Sequence, residues 1–480
     1  MLLWFIFLII LGLFIQNLVK RRIAPSTNTP AWIFWWILMT PALFLTAWMF
    51  LVGPNNPPPR NIVFMLFLLS LVSSLWLMSS SGNSNSLPKV QQLKSSEREI
   101  KPIEAGEEAR LRNCFPWTIF YLQNLDYKPQ AILCRGRLRT NSDEAYKTIK
   151  SNIERAFGER FLVLFQDSLK GPFFALIPNP AQLKMENEEP LNRPFFALFL
   201  LMMTLFTTTV IGIRLVGVSA IDLKHNLALF KLGLPYSLGL IAILGAHELG
   251  HYFTAVRYKI KTTLPYFIPL PFFLGTFGAF IQMRSSVPNR RALFDVAIAG
   301  PIAGFVITLP ILILGLTLST TVSESASSNL LDFQSLDPRF SFLLSLLSKL
   351  AMGSVLIAGK SIVMHPLAIA GYIGLIITAL NLLPVGQLDG GHIVHAMFGQ
   401  RIAITIGQIT RILVFLLALS RSDLLLWAIL LFFFPLADQP ALNDVSELDN
   451  GRDILGFAAL VLLVMILLPL PPTVAHWLNI

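Results

Sequence analysis

Long stretches of this chain carry almost no charge. Residues 2–19, 31–52, 61–78, 195–213, 229–246, 296–318 and 366–388 are continuous apolar runs in which Lys231 is the only ionised side chain. As a helix, each can cross a hydrocarbon layer of about 30 Å. In lipid only helices and closed barrels satisfy their own backbone groups, so most soluble folds are removed at once. Composition agrees: 54% of the 480 residues are hydrophobic and 13% are charged, where a soluble domain has about 25% charged. Mean hydropathy is +0.65. With weaker runs at 402–420 (holding Arg411), 424–437 and 454–470, the pattern predicts an all-α polytopic membrane protein of about ten transmembrane helices.

The formal net charge is +10. Much of it sits in short loops, where basic residues set orientation, so no nucleic-acid partner is expected. No basic residue precedes the first run, no small-residue cleavage site closes it, and Lys20, Arg21 and Arg22 follow it. That order reads as an anchor with its N-terminus outside, not a cleaved signal or a transit peptide. Counting spans from there puts residues 100–180 on the cytosolic side. It puts the segment holding Arg257, Lys259, Lys261, Arg284, Arg290 and Arg291 there too, while the outer loops hold Arg60, Lys224 and Arg421.

Four parts follow: N-terminal anchor spans over 1–78, a linker and small soluble α+β domain over 79–193, a membrane core over 194–400, and C-terminal spans over 401–480. "SSSGNSNSLP" has the composition of a flexible linker. Strand formers cluster in "PWTIFYL", "QAILC", "FLVLF" and "PFFALI". Between them a helix puts Tyr146, Ile149, Ile153, Ala156 and Phe157 on one face, with Gly158 suited to its C-terminal end. Cys114 and Cys134 fit no metal pattern and read as core residues. No internal repeat points to an inverted-repeat transporter.

"AILGAHELGH" places His247, Glu248 and His251 inside an apolar helix. Ionisable groups at membrane depth are costly and generally functional. Positions i and i+4 share a helix face, so the two imidazoles can hold one metal, with Glu248 beside the open coordination position. The bland alternative is a chance match of satisfied core histidines. Catalytic zinc takes three protein ligands and leaves a place for water. Asp389 is the candidate third ligand: it ends another apolar run at matching depth, after Pro384 and Gly386, which can unwind the helix to aim it. Asp389 could instead only cap a helix. His392 and His395 lie beyond Gly390 and Gly391, where a new element would face away, so neither is expected to bind metal. His365 reads as a helix-end residue, His225 as a loop residue and Arg411 as paired within the bundle. The apolar stretch 341–359 could lie on the outer leaflet or dip into it.

H-E-x-x-H at 247–251 together with N-x-x-P-x-x-x-x-D-G at 381–390 resembles the site-2 proteases, the intramembrane zinc metalloprotease family. "GTFGAFI" (275–281) resembles that family's re-entrant β-hairpin near the active site, and "FDVAIAGPIAG" (294–304) its following helix. The wording of 365–391 is similar to the cyanobacterial and chloroplast branch named for ethylene-dependent gravitropism deficiency and yellow-green leaves. The resemblance implies zinc held by His247, His251 and Asp389, with Glu248 as the catalytic base. It implies substrate contacts at Asn381 and along the hairpin, at Gly275, Gly278 and Phe280. Residues 319–365 are too few for the PDZ domain of other bacterial members, which leaves the 100–180 domain as the candidate for gating substrate.

The resulting expectation is hydrolysis of transmembrane segments of substrate proteins by zinc-activated water, in a multi-pass protein of a bacterial, cyanobacterial-like plasma or thylakoid membrane. Its active site would lie near the cytosolic side, with membrane lipid around it. A catalytically weak membrane chaperone or sequestering protein would be expected to lose Glu248 or a ligand. A zinc transporter would string ligands along a path instead of gathering them at one depth. Substrate identity and oligomeric state are open at this stage.

Overall fold

The computed structural model describes residues 31–53, 105–128, 131–168, 171–179, 193–218, 227–271, 274–323, 333–420 and 434–480, with isolated positions between 12 and 73 and between 424 and 431. Apart from single positions, the expected spans 2–19 and 61–78, residues 421–433 of the expected span 424–437 and its flank, the linker, Lys20 to Arg22, Arg60, Lys224, His225 and Arg421 lie outside the described residues. Residues 1–99 and 100–480 form two compact units. In the first, helix α1 (Ala31–Leu51) carries no charged side chain. Trp35 there donates its indole N–H to the Gly12 carbonyl at 3.0 Å.

The second unit begins with a small α+β domain: α2 (Ala105–Asn113), β1 (Phe120–Lys128), β2 (Ala131–Leu138), α3 (Ser142–Phe157), β3 (Phe161–Gln166) and β4 (Phe173–Pro178). Its sheet runs β1-β2-β4-β3 with every neighbouring pair antiparallel. Asn141 caps α3 by accepting from the Asp143 N–H, and Gly158, at φ 62°, ends it. Ala145, Tyr146, Ile149 and Ile153 are the buried face of α3, with Ala156 and Phe157 packed at its margin. β1 starts later than the expected 116–122 strand, because Pro116 opens a turn whose carbonyl accepts from Ile119 and Phe120. Phe165 and Phe174 stack at 4.1 Å in the core. Cys114 and Cys134 are buried free thiols beside them, and burial pushes both up from the ordinary thiol range.

The rest is mostly helical: α4 (Pro194–Leu215), α5 (Phe230–Arg257), β5 (Tyr266–Pro269), β6 (Thr276–Phe280), α6 (Arg290–Thr317), β7 (Thr320–Ser323), α7 (Phe342–Met352), β8 (Lys360–Val363), α8 (Pro366–Leu382), α9 (Asp389–Phe398), α10 (Gln400–Ser420), α11 (Asn450–Leu467) and α12 (Pro472–Leu478). Among the described residues, five helices are long and apolar enough to cross a membrane: α4, α5, α6, α10 and α11. α8 is apolar but has only 17 residues, roughly 25 Å at 1.5 Å per residue. The apolar run continues to 388, yet the helix stops at Leu382 because Leu383 precedes Pro384, which disfavours the helical conformation before it. Gly386 then turns the chain with φ 55°, and α9 starts three residues later.

β5 and β6 pair as an antiparallel hairpin over the expected 275–281 stretch. It is tied to α4 and α5, since Thr207 donates to the Gly275 carbonyl at 2.7 Å and Tyr236 to the Leu274 carbonyl at 2.8 Å. β7 and β8 form a second antiparallel pair. Within the 341–359 stretch, α7 is capped by Ser341 and buries one side, including Leu344, Ser345 and Ser348. His365 Nδ1 accepts from the Leu367 N–H at the start of α8, the helix-end role expected of it. Arg411 donates to the Phe434 carbonyl.

Residues 438–446 form a strap between the small domain and the membrane core. Along one side it adds to the edge of β3: Phe165 N–H donates to the Leu442 carbonyl at 2.7 Å, and Asp444 N–H to the Phe165 carbonyl at 2.8 Å. On the other it grips α9. Asp438 accepts from His392 Nδ1 at 2.7 Å and His395 Nδ1 at 2.8 Å, while His395 Nε2 reaches Asp444 at 3.1 Å.

Burial alone would pull His395 down, but the hydrogen bonds and charges of Asp438 and Asp444 override it and raise it to about 9. Burial would likewise raise Asp438, but the hydrogen bonds from His392 and His395 outweigh it and lower it to about 2. A histidine raised above its ordinary 6.5 adds stability that is complete below that value and is lost as pH climbs through about 9. An aspartate lowered below its ordinary 3.8 adds stability present above that value and lost as pH falls toward about 2. Thermal unfolding in detergent should therefore show a contribution that is full between about pH 4 and 6.5 and fades by pH 9. His395→Gln should flatten the alkaline fall. A wild-type protein as stable near pH 9.5 as near pH 6 would contradict this account.

Candidate metal and active site

His247, Glu248 and His251 lie on the buried part of α5, each with under a tenth of its surface exposed. The start of α9 brings Asp389 to the two imidazoles. Asp389 Oδ2 is 3.3 Å from both His247 Nε2 and His251 Nε2, and the two Nε2 atoms are 3.1 Å apart. Two nitrogens and one oxygen therefore form a nearly equilateral triangle of electron-pair donors. Tetrahedral zinc with ligands at about 2.0–2.1 Å requires donors roughly 3.3 Å from one another. The donor set and its spacing fit zinc. Among the described residues this is the group of His, Cys, Asp and Glu side chains able to converge on a metal ion.

The surrounding contacts set which atoms are free to ligate. His251 Nδ1 lies 2.7 Å from the Val296 carbonyl. A carbonyl only accepts, so Nδ1 holds the proton and the Nε2 lone pair faces the triangle. Asn381 Nδ2 is 3.2 Å from His247 Nε2. Asp389 sits in the first helical turn, but Leu388 is the N-cap and makes no side-chain cap bond. The Asp389 carboxylate is instead turned to the imidazoles.

A cavity of about 300 Å³ opens onto the triangle. His247, Glu248, His251, Asn381 and Asp389 line it, with Ala279, Phe280 and Ile281 from the end of the hairpin. Gly275 and Gly278 are not among the lining residues. Gly275, at φ 85°, places a carbonyl on Thr207, and Gly278, at φ 106°, sits within β6. The expectation that His392 and His395 would begin an element facing away needs revising. α9 begins at Asp389 itself, so His392 falls one turn on and lines the cavity, while His395 is fully buried against the strap. Neither joins the donor triangle. The Val296 carbonyl, the strap acids and Gly300 carry no local signal in the sequence.

An apolar helical bundle with buried H-E-x-x-H side chains and an acid delivered from a second helix is the arrangement expected of a membrane metalloprotease. Residues 235–419 match the model for peptidase family M50. The chain is 39% identical to the probable zinc metalloprotease EGY1, chloroplastic, of Arabidopsis thaliana, over 49% of this chain and 43% of that protein. It is 28% identical to rice EGY1 (Oryza sativa subsp. japonica) over 89% of this chain and 75% of that one. Against Arabidopsis EGY2 the figures are 30%, 74% and 63%. The chain thus spans less than half of the first relative and about two thirds of the last. No solved structure matches it. The chain therefore carries a peptidase family M50 match over residues 235–419 and is similar to the EGY-type zinc metalloproteases.

Gly300 tests the geometry. A Cβ there would lie 2.1 Å from His251 Nε2, so Gly300→Ala should displace the imidazole while leaving α6 helical. Zinc retained by purified Gly300→Ala should fall at least 10-fold in affinity, as metal sites do when a ligand is misplaced. Gly245→Ala, whose Cβ would meet Phe267 at an ordinary 3.7 Å, should keep full metal content.

Proposed function

We propose that this protein is an intramembrane protease that hydrolyses peptide bonds in transmembrane segments of other membrane proteins. The observation carrying this is a zinc-spaced donor triangle with Glu248 beside it in one cavity, buried in a bundle of apolar helices. His247, His251 and Asp389 would hold the ion. Zinc, when bound, supplies Lewis acidity toward a peptide carbonyl and a water acidified toward neutral pH. Glu248 takes the proton of the attacking water and returns it to the leaving amine nitrogen. It is placed for both transfers because it adjoins His247 in sequence and faces the same cavity.

A substrate helix hydrogen-bonds its own backbone, so it must unwind before its carbonyl can be attacked. Among the described residues β6 pairs with β5 on one side only, and its end forms a wall of the cavity. An extended substrate segment can add to the free side through main-chain hydrogen bonds. In this reading the hairpin is re-entrant, Phe280 packs against the substrate and Asn381 bonds its backbone or steadies His247. The basic residues after α5 support an active site toward the cytosolic side, with the small domain and strap on that side too. The chloroplastic relatives fit a thylakoid-type or cyanobacterial plasma membrane, with about ten spans in the whole chain.

Glu248→Gln should abolish cleavage of a reconstituted transmembrane substrate, a loss of at least about 10²-fold, while metal content stays at one zinc per chain. Asp389→Ala should lose the zinc itself. Cleavage by a folded Glu248→Gln protein would overturn the mechanism, and an Asp389→Ala protein with full zinc would overturn the ligand assignment.

A further inference from the structure

The hydrolytic scheme leaves one ionisable wall of the cavity unused. His392 lines the cavity, one helical turn after Asp389, and its side chain is 18% exposed. Its Nδ1 is 2.7 Å from Asp438 Oδ2, and the Asp438 side chain is 4% exposed. A carboxylate accepts, so Nδ1 holds the proton and donates. Asp438 cannot readily swing away: the same Oδ2 accepts from His395 Nδ1 at 2.8 Å, and Oδ1 accepts from the Gln439 N–H at 2.6 Å. With one edge of the ring fixed against the strap, the opposite edge, Nε2, is left for the cavity. A buried acid behind a cavity-facing imidazole orients the ring and balances positive charge on it.

We propose that His392 is a further catalytic residue. Its Nε2 edge hydrogen-bonds the carbonyl oxygen of the scissile peptide as that oxygen gains negative charge, with Asp438 holding the Nδ1 edge. The inference rests on the proteolytic reading above. His392 transfers no proton, and Glu248 still carries the water's proton to the leaving nitrogen, so the balance of the reaction is unchanged. A preorganised donor of this kind, shielded from water, contributes about 10²–10³ in rate. Asp438 touches no substrate and acts as the positioning residue.

Two substitutions separate a cavity donor from a merely structural histidine. Asn at 392 puts its amide near the place of Nδ1, which preserves the Asp438 contact but ends short of the cavity. Gln puts an N–H near the place of Nε2. The full chain in detergent is assayed for cleavage of a transmembrane peptide, for zinc content, and for affinity toward a peptide phosphinate that mimics the tetrahedral oxygens. His392→Asn should lower kcat about 10²-fold, weaken phosphinate binding similarly, and leave KM and zinc nearly unchanged. His392→Gln should recover about tenfold of that loss. Asp438→Asn should match His392→Asn, and combining the two should add little.

Equal or better activity in His392→Asn than in His392→Gln would overturn the proposal, as would a loss traced to missing zinc. Should neither variant at 392 fold, unchanged phosphinate affinity in Asp438→Asn overturns it. Wild-type protein whose cleavage does not depend on Glu248 would bring down the proteolytic reading first, a result distinct from any of these.

Discussion

Three side chains able to bind protons stand within 3.3 Å of one another inside an apolar bundle, and much of the architecture follows from that crowding. Taking a carboxylate and two imidazoles out of water is unfavourable by several kcal/mol per charge unless something offsets it. A divalent cation held by the three donors would offset all three at once, because every donor would then face opposite charge. The surroundings keep those donors from relaxing toward other partners. The Val296 carbonyl holds the far nitrogen of His251. Gly300 lets α6 press so closely on the imidazole that no side chain could fit between them.

The acid has to arrive from elsewhere in the chain, and its delivery depends on a helix that stops early. Had α8 continued through the apolar run to 388, Asp389 would have remained on its original helical path. Pro384 and the positive φ of Gly386 turn the chain. Gly390 and Gly391 then let α9 pack directly onto the carbonyls of Leu382 and Gly386, where a Cβ would lie about 2 Å away. Asp389 therefore starts a new helix at a fixed angle. The strap bonds the second turn of that helix through His392 and His395. The same strap is hydrogen-bonded to β3 of the small domain. The small α+β domain and the helix that carries Asp389 are thus joined through the strap, residues 438–446.

What the sequence reveals here depends on how local each signal is. H-E-x-x-H needs only one helix, and α5 is a single uninterrupted helix, so the face shared by His247 and His251 is legible from spacing alone. The apolar runs that become α4, α6, α10 and α11 are equally local. Asp389 was within reach because a helix-breaking pair precedes it. The apolar run reaches 388, but the break that Pro384 and Gly386 signal in the sequence ends α8 at Leu382. From sequence the Gly390-Gly391 pair reads as a break that turns His392 away, whereas those glycines are the first turn of α9 packed tightly on its neighbour. Asp438 gives no signal at all: "LADQP" is unremarkable in isolation, and its partners lie 46 and 43 residues away.

That difference between local and distant signals bears on how the active site is built. Residues that bind the metal must meet a strict distance rule, and spacing of i and i+4 on a helix is the cheapest way to satisfy it, so the pattern is visible. Residues that orient a ring or hold a helix need only reach their partner from any direction, and the fold is free to supply them from a loop far along the chain. His392 stands between the two classes. It follows Asp389 by three residues, so its location on the cavity wall is fixed by the helix that delivers the acid. Its orientation is fixed by a carboxylate from the strap. The cavity therefore receives one wall from local helical geometry and its finer alignment from the tertiary contact that also anchors the small domain.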